Sequence, residues 1–165
     1  MDVGVIGLGR MGQIVVDRLL AAGHRVVAFD LDAEATAAAA EAGAEPADSI
    51  ADLVERLPTP RRIWLMVPAG DPVDATLEDL DEHLEADDIV VDGGNSHFAD
   101  SRRRAEALTA AYLDCGTSGG PAGAEIGFSL MVGGPEWAYE AFEPAFDAIA
   151  TGPEGHNRMG PSGAG

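Results

Sequence analysis

The stretch Asp2-Val3-Gly4-Val5-Ile6-Gly7-Leu8-Gly9-Arg10-Met11-Gly12, followed by Ile14, Val15, Leu19 and Leu20, decides the fold. Alternating apolar side chains run straight into a glycine turn, after which apolar positions recur at helical spacing, so the pattern predicts strand, turn and helix. Each glycine has a steric reason in such a unit. Gly7 permits the tight turn, Gly9 lets the backbone approach a pyrophosphate, and Gly12 lets helix and strand pack closely. The helix N-terminus, with its unpaired N–H groups, then faces the phosphate charge.

Working outward, Gly23 ends that helix, residues 25–29 form a second β-rich run, and Asp30 closes it. A carboxylate there is placed to accept hydrogen bonds from an adenosine ribose, which turns a weak glycine motif into a dinucleotide-binding reading. It also repels a 2′-phosphate. The next residues, Leu31 and Asp32, supply no compensating cation, so NAD is expected over NADP.

The rest of the chain keeps a βαβ rhythm. Helix is predicted over about 11–22, 33–42, 49–57, 72–84, 98–111 and 135–149, and strand over about 2–6, 25–30, 62–67, 89–92, 112–115 and 129–132. This alternation implies an α/β fold, a Rossmann-like, doubly wound and mostly parallel sheet, with residues 1–165 forming one dinucleotide-binding domain. Ligands of such sheets sit at the carboxyl ends of the strands. Three small-residue clusters fall there: Val67-Pro68-Ala69-Gly70, Gly93-Gly94-Asn95-Ser96 and Gly116-Thr117-Ser118-Gly119-Gly120. Together they are expected to line one cleft, where Asn95 can both donate and accept and Ser118 can bind a carboxylate or hydroxyl.

Composition narrows the function classes. The 165 residues, 46% of them hydrophobic, suffice for one domain with a substantial core, and nothing suggests a second complete one. No apolar run reaches membrane-span length and no basic segment precedes an apolar one at the start, so a cytoplasmic protein is expected. Asp and Glu total 29 against 10 basic residues, all Arg, for a formal net charge of −19. That charge repels nucleic acid. It also strains the folded state by self-repulsion unless salt screens it, which points to a salt-loving source. The acids spread along segments such as Glu78 to Asp88, which reads as a solvated surface and not an interaction tail.

Remaining candidates divide by context. Lone Cys115 has no partner for a disulfide or a metal cluster and is expected to be a buried small residue near a strand end. His24 falls in the helix-to-strand turn, His83 on an acidic surface helix, and His156 in a glycine-rich tail without visible partners, so no metal site is expected. His97 has two readings, orienting a substrate at the cleft or starting a helix. Arg102, Arg103 and Arg104 point in different directions around their helix and are expected to pair with acids. Met11 either packs against the nicotinamide side or seals the turn, while Trp64 and Trp137 are expected in the core.

GLGRMG at 7–12, VPAG at 67–70, DGGNSHFADSRRR at 92–104 and TSGGPAGAEIGFSLMVGG at 117–134 resemble the 6-phosphogluconate dehydrogenases, within the wider β-hydroxyacid dehydrogenases. The last stretch is shared in looser form with 3-hydroxyisobutyrate dehydrogenases, whereas GGNS looks like the phosphogluconate branch. The resemblance implies that Gly7, Leu8, Gly9, Arg10, Met11 and Gly12, Asp30, Leu31 and Asp32, and Val67, Pro68 and Ala69 contact the dinucleotide. It implies that Asn95 touches both nicotinamide and substrate, as the catalytic-site residue within this chain, and that Ser118, Gly119 and Gly120 hold the sugar acid. NADP-dependent members carry Asn-Arg-Thr where this chain has Asp30-Leu31-Asp32, which agrees with NAD.

The implied reaction oxidises the 3-hydroxyl of 6-phosphogluconate by hydride transfer, releases carbon dioxide and protonates the enediol to give ribulose 5-phosphate. Family members use a Lys as base and a Glu as acid, both on a helix just after a glycine-rich segment like Gly160-Pro161-Ser162-Gly163-Ala164-Gly165. The resemblance thus places base and acid beyond Gly165, and this chain has no Lys. It implies a coenzyme-binding domain cut from a longer homo-oligomeric enzyme, whose all-helical second domain supplies base, acid and phosphate-binding groups. Two other readings stand beside it. One is a dehydrogenase for another β-hydroxy acid such as 3-hydroxyisobutyrate; the other is a non-catalytic NAD-sensing module.

The acid at position 30 yields a first prediction. Asp30→Asn combined with Leu31→Arg should shift cofactor preference from NAD toward NADP, read as the ratio of dissociation constants by titration calorimetry. Unchanged affinities for both dinucleotides would contradict the assignment.

Overall fold

The computed structural model describes residues 1–152 and 154–165, with residue 121 described by its backbone alone. Its strands are β1 (Asp2–Ile6), β2 (Arg25–Phe29), β3 (Glu45–Pro46), β4 (Arg62–Leu65), β5 (Ile89–Asp92), β6 (Ala111–Ser118), β7 (Ser129–Gly133) and β8 (His156–Gly160). Its helices are α1 (Arg10–Ala21), α2 (Ala33–Ala42), α3 (Ile50–Glu55), α4 (Asp71–Asp81), α5 (Phe98–Ala107), α6 (Gly123–Ile126) and α7 (Glu136–Ile149). The strands form one sheet in the order β3-β2-β1-β4-β5-β6-β7-β8. Pairing is parallel from β3 to β6, β7 runs antiparallel to β6, and β8 lies parallel to β7. The first six strands thus have the 3-2-1-4-5-6 order of the doubly wound Rossmann fold.

Period-two alternation sends the two sets of strand side chains to opposite faces. Val3, Val5, Trp64, Val91, Leu113 and Cys115 join α1 and α7 in one core. Ile63, Leu65, Val90 and Tyr112 join α3 and α4 in the other. On the first face Trp64 packs on Phe142 and Phe146, with ring centroids 6.2 and 6.1 Å away. On the second, a side chain at Gly4 would press on Leu53 and Leu57, 2.8 and 2.9 Å from its β-carbon. A strand glycine is what lets α3 lie so close to β1.

Several sequence expectations need correction. Trp137 is 48% exposed rather than buried, because the inward stripe of α7 is Ala138, Phe142, Ala145, Phe146 and Ile149. His156 lies in a strand, not a loose tail: its Nδ1 is 2.8 Å from the Tyr139 hydroxyl and its Nε2 is 3.0 Å from Asp147 Oδ1. Helix α5 stops four residues early, at Ala107 rather than 111, because Leu108 turns extended and Asp81 Oδ1 takes the Thr109 N–H at 2.7 Å. Helix α4 likewise ends at Asp81 and not at 84, and β4 ends at Leu65 and not at 67. Strands β3 and β8 and the short α6 were not expected. The first has two residues and the second reads His-Asn-Arg-Met-Gly, so neither carries a hydrophobic period to detect.

The turn between β1 and α1 is held by sterics. Gly7 has φ +92°, and its N–H donates to the Phe29 carbonyl at 3.0 Å, stitching the turn to β2. A β-carbon at Gly12 would lie 1.9 Å from the Gly7 carbonyl oxygen, whereas one at Gly9 would meet nothing within 4 Å. Gly12→Ala should therefore lower the melting temperature by roughly 5–10 °C, since a rigid backbone must move. Gly9→Ala should change it by no more than about 3 °C. Equal shifts for the two variants in a thermal melt would contradict this picture.

Candidate functional site

The carboxyl ends of β1, β2, β4 and β5 open into a cavity of about 770 Å³ bounded by α1, α3 and α4. That size suits a small-molecule or cofactor site. Gly7, Gly9, Arg10, Met11 and Gly12 form one wall, Asp30 and Leu31 a second, and Val67, Pro68 and Ala69 a third, with Gly94 and Asn95 closing the far end. Two of the expected cofactor residues stand outside it. Leu8 is buried at 4% exposure, and Asp32 serves as N-cap of α2 by accepting the Glu34 N–H. The sequence did not reveal that Ile50, Pro72, Ala75, Thr76 and Asp79 complete the walls. They come from α3 and from α4 and its start, and only the sheet order brings them there.

The end of the cavity at the glycine turn is built from backbone. Gly9 precedes α1 without any side-chain cap, and the first turn of α1 carries no acid. Its initial N–H groups are therefore left for a ligand, with the positive end of the helix dipole behind them. Arg10 is the one cation among the described lining residues. Because the Gly9 β-carbon position is open, an anion can reach these amides unobstructed.

Asp30 does more than face the cavity. Its Oδ2 accepts the Leu8 N–H at 2.6 Å and its Oδ1 accepts the Asp32 N–H at 2.8 Å. The carboxylate thus braces the glycine loop from the tip of β2, and each oxygen keeps lone-pair capacity for a hydroxyl. Leu31 beside it is 95% exposed. Asp79 also lines the cavity, whose described lining residues include no cation besides Arg10.

Asn95 is carried by a loop clasped to one buried carboxylate. Asp92, 1% exposed, accepts from the Gly94 N–H at 3.0 Å and the Ser96 hydroxyl at 2.7 Å, so the residues on either side of Asn95 hang from the same group. The Tyr112 hydroxyl also donates to it at 2.7 Å. Burial, then the neighbouring Asp92 charge, pushes the Tyr112 phenol well up, which keeps it a donor. Close approach makes the glycines necessary. A β-carbon at Gly93 would lie 2.5 Å from Trp64 Nε1, and one at Gly94 would lie 3.0 Å from the Val67 carbonyl oxygen.

The third cluster sits on the same sheet edge, and none of its residues is among the described lining residues of this cavity. Thr117 Oγ1 donates to the Gly93 carbonyl at 3.2 Å, which sets Ser118, Gly119 and Gly120 beside the Asn95 loop. Gly165, beyond which the resemblance places base and acid, is likewise not among the described lining residues of the cavity. It is tied to β6 instead: the Gly165 N–H donates to Asp114 Oδ2 at 2.8 Å and the Gly163 N–H to Asp114 Oδ1 at 2.6 Å. One buried carboxylate within β6 thus pins the glycine-rich segment.

The other candidates fall away from the cavity. His97 starts α5, its Nδ1 accepting the Ala99 N–H at 3.3 Å. Of the arginines, Arg103 and Arg104 both reach Asp74, whereas Arg102 lies over the Phe98 ring. His24 lies in its turn, 3.1 Å from the terminal amine. Burial pushes the Cys115 thiol up to about 12, leaving it protonated and unreactive. Among the described residues no three His, Cys, Asp or Glu side chains gather to hold a metal, and no helix is long and apolar enough to cross a membrane.

Comparison with known proteins agrees with this geometry. A family model for the NAD binding domain of 6-phosphogluconate dehydrogenase matches residues 2–159. The chain is 76% identical over all its 165 residues to the NAD(+)-dependent, decarboxylating 6-phosphogluconate dehydrogenase of Haloferax volcanii, covering 55% of that protein. Among solved structures, Plasmodium falciparum 6-phosphogluconate dehydrogenase superposes with a TM-score of 0.90 at 29% identity, over 100% of this chain and 38% of that one. Mycobacterium tuberculosis 3-hydroxyisobutyrate dehydrogenase superposes with a TM-score of 0.88 at 26% identity, over 99% of this chain and 56% of that one. The chain spans about half or less of the length of these proteins. With the family match running from the first strand into the last, the chain belongs to the NAD-binding domain family of the 6-phosphogluconate dehydrogenases.

Proposed function

We propose that this chain is the coenzyme-binding domain of an NAD-dependent 6-phosphogluconate dehydrogenase that decarboxylates its substrate to ribulose 5-phosphate. The observation that carries the reading is the meeting of the uncapped α1 N-terminus, Asp30, the 67–69 loop and Asn95 around one cavity. The amides of the first turn of α1 hold the pyrophosphate, and Asp30 accepts from the adenosine ribose while bracing the loop through Leu8. Val67, Pro68 and Ala69 form the wall that leads toward the nicotinamide end.

The carboxylate at the ribose end supports NAD over NADP, since a 2′-phosphate would meet Asp30. The 76% identity to an NAD(+)-dependent relative supports the same choice. When bound, the nicotinamide accepts the hydride leaving the 3-carbon of the sugar acid. Asn95 orients the substrate against it, and Ser118, Gly119 and Gly120, next along the sheet edge, hold the sugar acid. The proton of the 3-hydroxyl must go to a base, and the enediol left after loss of carbon dioxide must gain one from an acid. No Lys exists in this chain to serve as the base. We assign base and acid to a second domain following Gly165, in keeping with the greater length of the relatives.

The test is a set of assays in molar KCl. The 165-residue domain is expected to bind NAD and to form no NADH from 6-phosphogluconate. The parent-length enzyme is expected to form NADH from 6-phosphogluconate and NAD, with gluconate and 3-hydroxyisobutyrate inactive. Turnover of an unphosphorylated acid would move the chain to the 3-hydroxyisobutyrate branch, and binding without turnover of any acid by the parent enzyme would favour a sensor.

A further inference from the structure

Arg104 lies on α5, away from the cavity walls, and its side chain is only 2% exposed. It nevertheless joins both loops that shape the nicotinamide end. Its Nη1 donates to the Ser96 hydroxyl at 2.9 Å and lies 3.6 Å from Asp92 Oδ2. Its Nη2 donates to the Gly70 carbonyl at 3.2 Å, and its Nε donates to Asp74 Oδ1 at 2.8 Å, on the first turns of α4. One planar guanidinium therefore touches the end of the 67–70 loop, the start of α4 and the residue following Asn95. Its hydrogen bonds hold the Asp74 carboxyl below its ordinary value, so this partner stays charged near neutrality.

From this fork we infer that Arg104 is a positioning residue, which sets the Asn95 loop against the 67–70 loop and thereby fixes where the nicotinamide ring can lie. The inference rests on the dinucleotide reading of the cavity. The two loops already touch, Gly94 passing close to the Val67 carbonyl, but that contact alone is not directional. Arg104 supplies the direction, because a rigid fork satisfies three acceptors at fixed angles where an ammonium on a flexible stem cannot. Ser96 is the relay, donating to Asp92 while accepting from Arg104. The adenosine and pyrophosphate ends depend instead on α1 and Asp30, which have no bond to this network among the described residues.

That separation gives a test on the domain itself, using NAD and ADP-ribose as calorimetric probes, since ADP-ribose shares all but the nicotinamide. Arg104→Lys, Arg104→Met and Ser96→Ala are compared with the parent chain, with thermal melts to verify folding. The parent chain is expected to prefer NAD. Arg104→Lys and Arg104→Met should weaken NAD by about tenfold while leaving ADP-ribose within about twofold, and Ser96→Ala should show a smaller loss of the same kind. If Arg104→Met fails to fold, the Lys and Ser96 variants carry the comparison. Equal weakening of both ligands would reduce Arg104 to a structural role and overturn the inference, as would no change in either, or no NAD preference in the parent chain. A parent chain that binds neither ligand would overturn the dinucleotide reading itself, and this inference with it.

Discussion

The close approach of α1 to the end of β1 governs the ligand edge of this molecule. With the Gly7 carbonyl 1.9 Å from where a Gly12 β-carbon would sit, the helix can start only where it does, pointed into the cavity with its first amides free. The rest follows from that placement. The sheet must present its carboxyl ends on the same side, β2 must end in a group that steadies the loop, and the β4 and β5 loops must close the opposite wall.

Steadying falls to buried or half-buried carboxylates, which a chain with 29 acids has in abundance. Asp30 follows β2, Asp92 ends β5 and Asp114 lies within β6, and each accepts backbone N–H groups from loop segments, Gly163 and Gly165 included. Asp88, before β5, does the same for Arg61 and Glu85. A buried carboxylate is tolerable only when such donors, or an arginine, satisfy it. Asp88 and Asp92 have both, through Arg61 and Arg104. The surface acids answer to salt; these answer to the fold.

Much of this was legible in the sequence, for reasons that can be named. The glycine motif and the apolar periods of β1, α1, β2 and β5 depend on local sterics, so element types and the parallel sheet could be read directly. The glycine turn, the acid at Asp30 and the small-residue clusters after β4 and β5 were readable because each follows a strand, where a ligand edge lies. What escaped depends on distant partners. Nothing near His156 announces Tyr139 and Asp147, and the polar β8 pairs only because β7 offers it an edge. Gly165 gives no local sign that Asp114, far back in the chain, will hold it. Trp137 misled because hydrophobicity was read without the phase of its helix. Arg104 sits in a run of three arginines that look alike in sequence, and only the fold shows that one is buried and forked between loops.

The central claim, that these residues form one dinucleotide site, is tested most directly by mapping NAD on the domain with amide chemical-shift perturbation in molar KCl. Saturable shifts at residues 7–12, 30–32, 67–69 and 94–96, with α7 and β8 unmoved, are what the structure predicts. Saturable shifts centred elsewhere, or none at millimolar NAD, would contradict it.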